Sequence, residues 1–253
     1  MTDSTTRFSG RVEAYVNYRP GYPAELVAEL LRRTGLGAGA VVADVGSGTG
    51  LFSERLLEHD LKVYAVEPNQ PMRAAAEARL AENPRFVSVD ASAERTGLAD
   101  ASIDMITAAQ AFHWINNRAD STEYARILRA DAKLALIWNR RDASKTLQKA
   151  YEAILQEFAP EYGEVNHMSL GAEALGAVLQ PEQMQKLHFK NCQRLDFKGL
   201  LGRLKSSSYC PPEDSPQYIP LVTELLALFD HFAVDAHVDF DYDTQVFLGP
   251  LLK

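Results

Sequence analysis

Short apolar runs alternate with amphipathic stretches over the first 140 or so residues of the chain. Continuous β-prone runs stand at VVADV (41–45), KVYAV (62–66), RFVSV (85–89), IDMITA (103–108) and KLALIW (133–138), the pattern of strands buried on both faces. Between them, GLFSERLLEH, QPMRAAAEARLA and RADSTEYARILR carry apolar residues three or four apart, which predicts helices. Ahead of the first run, AELVAELLRRTGL sets Leu26, Val27, Leu30 and Leu31 at helical spacing, with Pro23 before them and Gly35 behind. Strands alternating with helices predict βαβ units and a parallel sheet with helices on both faces.

Beyond Asp142 the rhythm changes. KTLQKAYEAILQEF predicts a long amphipathic helix through Leu147, Tyr151, Ile154, Leu155 and Phe158. QKLHFKNCQRLDF reads as a strand, KGLLGRLKSS and IPLVTELLALFDHFA as helices, and YDTQVFLG as a closing strand. There is no fixed-period repeat and no low-complexity tract, so the later half is expected to complete the same sheet and cover one end of it.

Composition narrows the partners. The 253 residues carry a formal net charge of -8, which argues against nucleic acid as the main partner. No apolar run reaches the roughly 18 residues of a membrane span, and MTDSTTRFSGR lacks the charged-then-apolar order of a signal peptide, so a cytoplasmic protein that does not engage membranes is expected. Cys192 and Cys210 are too few for a disulfide framework and have no clustered His or Cys partners, so no metal site is expected.

The chemistry concentrates at strand ends. In VVADVGSGTG, Gly46 can make a sharp turn after the first strand, Gly48 removes a side chain where a ligand approaches, and Gly50 permits close packing of the next helix. Asp44 stands just before this turn, facing something cationic or a hydroxyl. Glu67 ends the second strand about twenty residues later, the offset at which an acidic group meets ribose hydroxyls. Asp90 ends the third, where it can reach the exocyclic amine of an adenine while the backbone of Ala91 reads the ring. These three ends predict an adenosine-containing ligand. The spacing is G-x-G-x-G rather than the G-x-G-x-x-G of dinucleotide sites, and a carboxylate at the turn opposes a pyrophosphate but suits an amine. S-adenosyl-L-methionine satisfies both conditions, and a nicotinamide-dependent oxidoreductase satisfies neither.

VADVGSGTG, AVEPN, VDASAE and DMITAAQAFHW together resemble the class I S-adenosylmethionine-dependent methyltransferases. YVNYRPGYP, AQAFHW, LALIWNRRD and SSSYCP look like the small-molecule subgroup that includes trans-aconitate methyltransferase-like proteins. The resemblance spans essentially the whole chain, and its cofactor motifs are more specific than its substrate motifs. It implies a Rossmann-like, doubly wound α/β fold with a mostly parallel seven-stranded sheet whose last strand is antiparallel. A single domain over 1–253 is expected: an N-terminal lid and helix (1–40), a cofactor-binding core (41–142), and insertions that cover substrate and complete the sheet (143–253).

The cofactor contacts so implied are Tyr15, Tyr18, Arg19, Asp44, Gly46, Ser47, Gly48, Gly50, Glu67, Pro68, Met72, Asp90, Ala91 and Gln110. The segment FSGRVEAYVNYRPGYP, with Phe8, Tyr15, Tyr18, Arg19 and Tyr22, either closes as a lid that excludes water or packs as plain hydrophobic surface. Gln110 can line the cofactor through its amide. His113 and Trp114 either face substrate or belong to the core. Of the groups that could remove a proton from a hydroxyl or amine acceptor, His113 ranks first and Tyr18 second, whereas a carboxylate acceptor needs no base. Arg140 and Arg141 end the fifth strand, where they can hold a carboxylate or remain solvated. Lys205, Ser208 and Tyr209 either contribute to an acceptor pocket or form loop surface. The expected partner is a small-molecule methyl acceptor, with a carboxylate as candidate, and the expected state is monomer or homodimer. The competing reading is a non-catalytic protein of methyltransferase fold that binds S-adenosylmethionine or a partner.

Overall fold

The computed structural model describes residues 12–111, 118–163 and 175–252. Its elements follow in the order α1 (Val12–Tyr18), α2 (Ala24–Thr34), β1 (Val41–Val45), α3 (Leu51–Leu57), β2 (Lys62–Val66), α4 (Gln70–Leu80), β3 (Phe86–Val89) and β4 (Ile103–Ala109). After them come α5 (Arg118–Ile127), β5 (Leu128–Arg141), α6 (Thr146–Phe158), β6 (Gln185–Leu195), α7 (Phe197–Lys205), α8 (Tyr218–Phe232) and β7 (Val238–Gly249).

One seven-stranded sheet runs β3-β2-β1-β4-β5-β7-β6. Strands β1 to β5 are parallel, and β7 lies antiparallel between β5 and β6. The winding reverses at β1, which has β2 on one side and β4 on the other, and ligands of open α/β sheets settle outside the strand ends at such a switch point. Val42, Met105 and Ile137 face α2 and α3 through Leu26, Leu30, Phe52 and Leu56. Ala43, Val45, Ile106 and Leu136 face the opposite layer, which holds Tyr124, Ile127, Leu175 and Leu179. A further cluster joins α6, α7 and α8 over the start of β7, through Tyr151, Leu155, Leu200, Leu204, Leu221, Leu225 and Phe240. The doubly wound sheet with an antiparallel final strand is thus the architecture expected from the sequence.

Local chemistry closes each element. The backbone N–H of Gly35, in the left-handed region at φ 72°, bonds to Leu31 O and ends α2. Asn69 caps α4 by accepting from Met72 N, and Asp196 caps α7 by accepting from Gly199 N at 2.7 Å.

Two elements differ from the sequence reading. VEAYVNY forms α1, a helix its own sequence does not announce. No strong apolar face marks it, and tertiary packing holds it, with the Tyr18 ring lying directly over Gly202 of α7. Strand β5 is longer than KLALIW at both ends. Its first residue, Leu128, pairs with Ile103; the register then shifts between Ile103 and Met105, with Asp131 at φ 64°, and the main ladder resumes at Lys133. At the other end β4 stops opposite Ile137, while β5 runs on to Arg141 against β7 alone. The projecting residues Trp138 to Arg141 form one wall of a cleft. Among the described residues no helix is long and apolar enough to cross a membrane.

Candidate active site

The glycine turn joins β1 to α3 at the switch point. Gly46, Gly48 and Gly50 have φ of 67°, 54° and 79°, a region that side chains with a Cβ rarely adopt. A Cβ on Gly46 would sit 2.5 Å from the Ala111 Cβ, and one on Gly50 would meet Leu80 at 2.8 Å, so these two make close packing possible. Above Gly48 the nearest neighbour is the Met72 Cε at 3.7 Å, which leaves that part of the turn open. The N–H groups of Gly46 and Ser47 both bond to Val66 O, fastening the turn to the end of β2. Buried in the same turn, the Ser47 Oγ has no hydrogen-bond partner, a polar atom that a bound group would satisfy.

Asp44 lies beneath the turn and is fully buried. Its two oxygens accept from Ser53 Oγ (2.6 Å) and Thr107 Oγ1 (2.8 Å). Burial pushes the Asp44 carboxyl up to about 6, against the pull of these two hydroxyls and with help from the nearby Glu67 charge. Glu67 is also buried; its carboxylate accepts from Gly48 N (2.9 Å) and Asn69 N (2.8 Å). Burial raises the Glu67 carboxyl, and the two amides oppose that rise. The pair therefore brings two carboxyls with free acceptor capacity to a turn whose glycine leaves space, an acceptor set that fits the amine and ribose hydroxyls of S-adenosylmethionine.

The other strand-end residues are arranged differently. Asp90 is exposed and paired with Arg73 Nη2 at 2.8 Å, while the Ala91 N–H already donates to Val89 O. Contact with an adenine amine would have to share Asp90 with Arg73. Pro68 is exposed, and Met72 is buried below Gly48. Gln110, at φ 57°, donates through Nε2 to Asn139 O at 3.0 Å and so ties the end of β4 to the wall of the cleft.

The cleft adjoins the turn, since Leu51 and Gln110 line it together with Tyr15, Arg19, Trp138, Arg140, Arg141, Arg203 and Tyr209. Among the expected site residues, it gathers Tyr15, Arg19, Tyr22, Gln110, Arg140, Arg141, Ser208 and Tyr209, and Lys205 does not line it. Tyr18 is not among the residues that line it, and its ring lies over Gly202. His113, Trp114 and the N-terminal Phe8 lie outside the described residues.

Arg141 is a strut rather than a free clamp. It donates to Glu152 Oε2 (2.6 Å), to the Tyr162 hydroxyl and to the Tyr209 hydroxyl (3.2 Å). Burial works against ionising the Tyr209 phenol, but the charges of Arg141 and Arg203 outweigh it and bring that phenol down to about 8. Sequence reasoning missed Arg203, and a signal existed: in GLLGRLK it falls between Leu200 and Leu204 on the buried face of a helix. Among the described residues, no group of His, Cys, Asp and Glu side chains could hold a metal ion.

Comparisons with known proteins bear on the fold and on its central segment. Residues 43–136 match the methyltransferase domain family Methyltransf_11, the stretch from β1 through most of β5. An uncharacterized methyltransferase of Mycobacterium bovis is 39% identical over 140 residues, which are 55% of this chain and 55% of that relative. The chain thus matches about half the length of this mycobacterial relative. Among solved structures, one provisionally named a type II methyltransferase, from Anaeromyxobacter dehalogenans, superposes with a TM-score of 0.64 at 22% identity, covering 92% of this chain and 98% of the other. A phosphoethanolamine N-methyltransferase of Haemonchus contortus, solved with S-adenosyl-L-methionine, has a TM-score of 0.55 at 17% identity, covering 98% of this chain and 59% of that one. At these identities the structural likeness establishes the fold alone, and residues 43–136 match the methyltransferase domain family.

Proposed function

We propose that this chain transfers the methyl group of S-adenosyl-L-methionine to a small, negatively charged acceptor, with a carboxylate as the candidate nucleophile. One observation carries the reading: the glycine turn with its paired carboxyls opens, through Leu51 and Gln110, onto a cleft lined by four arginines. The family match of the central segment and the S-adenosylmethionine-bound Haemonchus neighbour support the choice of cofactor.

When bound, S-adenosylmethionine supplies an electrophilic methyl group on a sulfonium. Asp44 and the turn would hold its amine end, Glu67 its ribose hydroxyls, and Gly48 the space between. On the acceptor side the cleft has little proton chemistry to perform. A carboxylate is already ionised at neutral pH, so the task is to desolvate it and align it, and orientation alone can supply ~7–11 kcal/mol of a barrier. Arg19, Arg140 and Arg203 hold the anion, and the Tyr15, Tyr22, Trp138 and Tyr209 rings replace its water.

Calorimetric titration of S-adenosylhomocysteine, with NAD as the control, tests the cofactor. Binding at micromolar Kd or tighter, about -8 kcal/mol, with NAD silent, is expected, and Glu67→Ala should weaken it by about 1–3 kcal/mol. An acceptor screen read by mass spectrometry then follows, starting with small carboxylic acids. NAD binding, or cofactor binding with no methylated product from any anionic acceptor, would overturn the proposal.

A further inference from the structure

Three of the four cleft arginines differ in how their charge is met. Arg141 has Glu152 at 2.6 Å. Arg19 and Arg203 have no carboxylate partner among the described residues, although Arg203 is buried and Arg19 is half-buried with its Nε shielded from solvent. Arg203 is 4% exposed; its Nε donates to the Tyr242 hydroxyl and its Nη1 to Ser207 Oγ, both at 2.9 Å. Arg19 donates through Nη2 to Ser206 O at 2.8 Å, stacks at 4.8 Å over the Tyr15 ring, and leaves its buried Nε without a hydrogen bond. The two cations are therefore anchored on consecutive residues, Ser206 and Ser207, and line one cleft.

Such a pair is costly as it stands. A buried charge is tolerated when it is paired, and two like charges on adjacent anchors add repulsion. The cost falls on Arg19: burial, and then the neighbouring Arg203 charge, lower its affinity for its proton, whereas around Arg203 burial is outweighed by the Tyr242, Tyr209 and Tyr151 phenols, which raise it. Neutral partners hold the fork geometry without cancelling the charge, the arrangement of a site that waits for an anion.

We infer that Arg19 and Arg203 together form the anchor for an anionic group of the acceptor, and that this group, by bridging them, fastens the N-terminal helix over the cleft. The bridge follows from the connectivity. Arg19 directly follows α1, whereas Arg203 belongs to α7, and only an anion between them removes their mutual repulsion. The empty state already has a weaker tether on the same path: Arg203 holds the Tyr242 hydroxyl, Tyr242 donates to Gln193 Oε1, and Gln193 Nε2 donates to Tyr18 O at 3.1 Å. Arg140 donates to Gln245 Oε1 at 3.4 Å from the strand wall. This inference rests on the proposed methyl transfer for the identity of the ligand as acceptor, but the anion site itself does not require it.

The test uses malonate as the probe anion and malonamide as its uncharged counterpart, on the full chain. Arginine Nε–H signals in nitrogen-proton spectra are followed during titration, together with amide exchange of residues 12–18. Saturable shifts of the Arg19 and Arg203 signals are expected with malonate and not with malonamide, along with at least tenfold slower exchange in α1. Arg203→Met and Arg19→Gln should each weaken malonate at least tenfold, and the exposed Arg194→Gln should not. Circular dichroism checks that each variant folds, and Arg19→Gln decides if Arg203→Met does not. Shifts confined to Arg140, or equal malonate affinity in a folded Arg19→Gln, would overturn the inference. S-adenosylhomocysteine titrated into the same samples separates the two proposals. Cofactor binding without malonate binding defeats the anchor alone, and malonate binding without cofactor binding defeats the methyltransferase reading alone.

Discussion

Asp44 shows how one residue can serve both the fold and the site. Its carboxyl is held at about 6, so between roughly pH 4 and pH 6 the unfolded chain ionises at this position before the folded one does. The folded state then holds the extra proton, and stability contributed by Asp44 is complete below pH 4 and lost as pH rises through 6. An Asp44→Asn variant, still able to meet Ser53 and Thr107, does not titrate. Its advantage over the parent should grow from near zero at pH 4 to at most ~2–3 kcal/mol at pH 7, read as melting temperature by circular dichroism. A difference that does not change with pH would remove the burial argument. The same variant should bind S-adenosylhomocysteine more weakly, because its amine would lose a carboxylate.

The glycines separate in the same way. Gly46→Ala combines positive φ with a 2.5 Å collision against Ala111, whereas Gly48→Ala keeps the strained φ but meets only open space and Met72. Denaturant melts should show a loss of about 2–4 kcal/mol for the first and about 1–2 kcal/mol for the second. Ligand affinity should suffer most at Gly48, where the cradle itself is filled. The residue types at these positions were legible in the sequence, because an acidic group before G-x-G-x-G permits few structures. The space left at Gly48 and the helix packing at Gly50 were legible too, but the packing role of Gly46 was not, since that depends on Ala111, distant in sequence.

At the scale of elements, α1 is the least legible part of the chain and the one on which the cleft depends. A seven-residue helix has too few internal hydrogen bonds to stand alone. It persists because Gly202 lets the Tyr18 ring lie flat on α7. A Cβ there would stand 2.3 Å from the ring. Gly202→Ala should therefore split two effects. Helix propensity favours alanine by about 1 kcal/mol, so the global denaturation midpoint should hold or rise, while amide exchange in residues 12–18 accelerates. Unchanged exchange in α1 would show that the contact does not hold the helix. Strand β5 makes a related point: its apolar stretch and the arginines at its end were readable, but the partner that carries the strand out to Arg141 was not. That extension depends on β7, which arrives about a hundred residues later and continues the ladder where β4 has ended.

Across the whole molecule, a net charge of -8 surrounds an arginine-lined cleft. The bulk charge repels anions at long range, so recognition must come from contacts inside the cleft, where screening by salt is weaker. Cofactor binding should also register as global stability. Any ligand that binds only the folded state adds about 2.7 kcal/mol at a hundredfold excess over its Kd. For a chain of this size that corresponds to a rise of roughly 5–11 °C in Tm. Differential scanning fluorimetry with S-adenosylhomocysteine should show such a rise, with none from NAD. A flat response to both would mean that the turn holds no nucleoside ligand.

By itself the sequence determined the alternation of strands and helices, the glycine turn and the acidic residues at successive strand ends. These are local patterns: hydrophobic period, backbone freedom and spacing are properties of short segments. Tertiary structure decided the rest. It placed Tyr18 on Gly202, paired Arg141 with Glu152, and set Arg19 beside a buried Arg203, with no carboxylate for either among the described residues. The physical reason is that charge compensation is a property of three-dimensional neighbourhoods. An arginine in a sequence carries the same charge wherever it stands, and only the fold determines whether a carboxylate of the chain or a ligand must neutralise it.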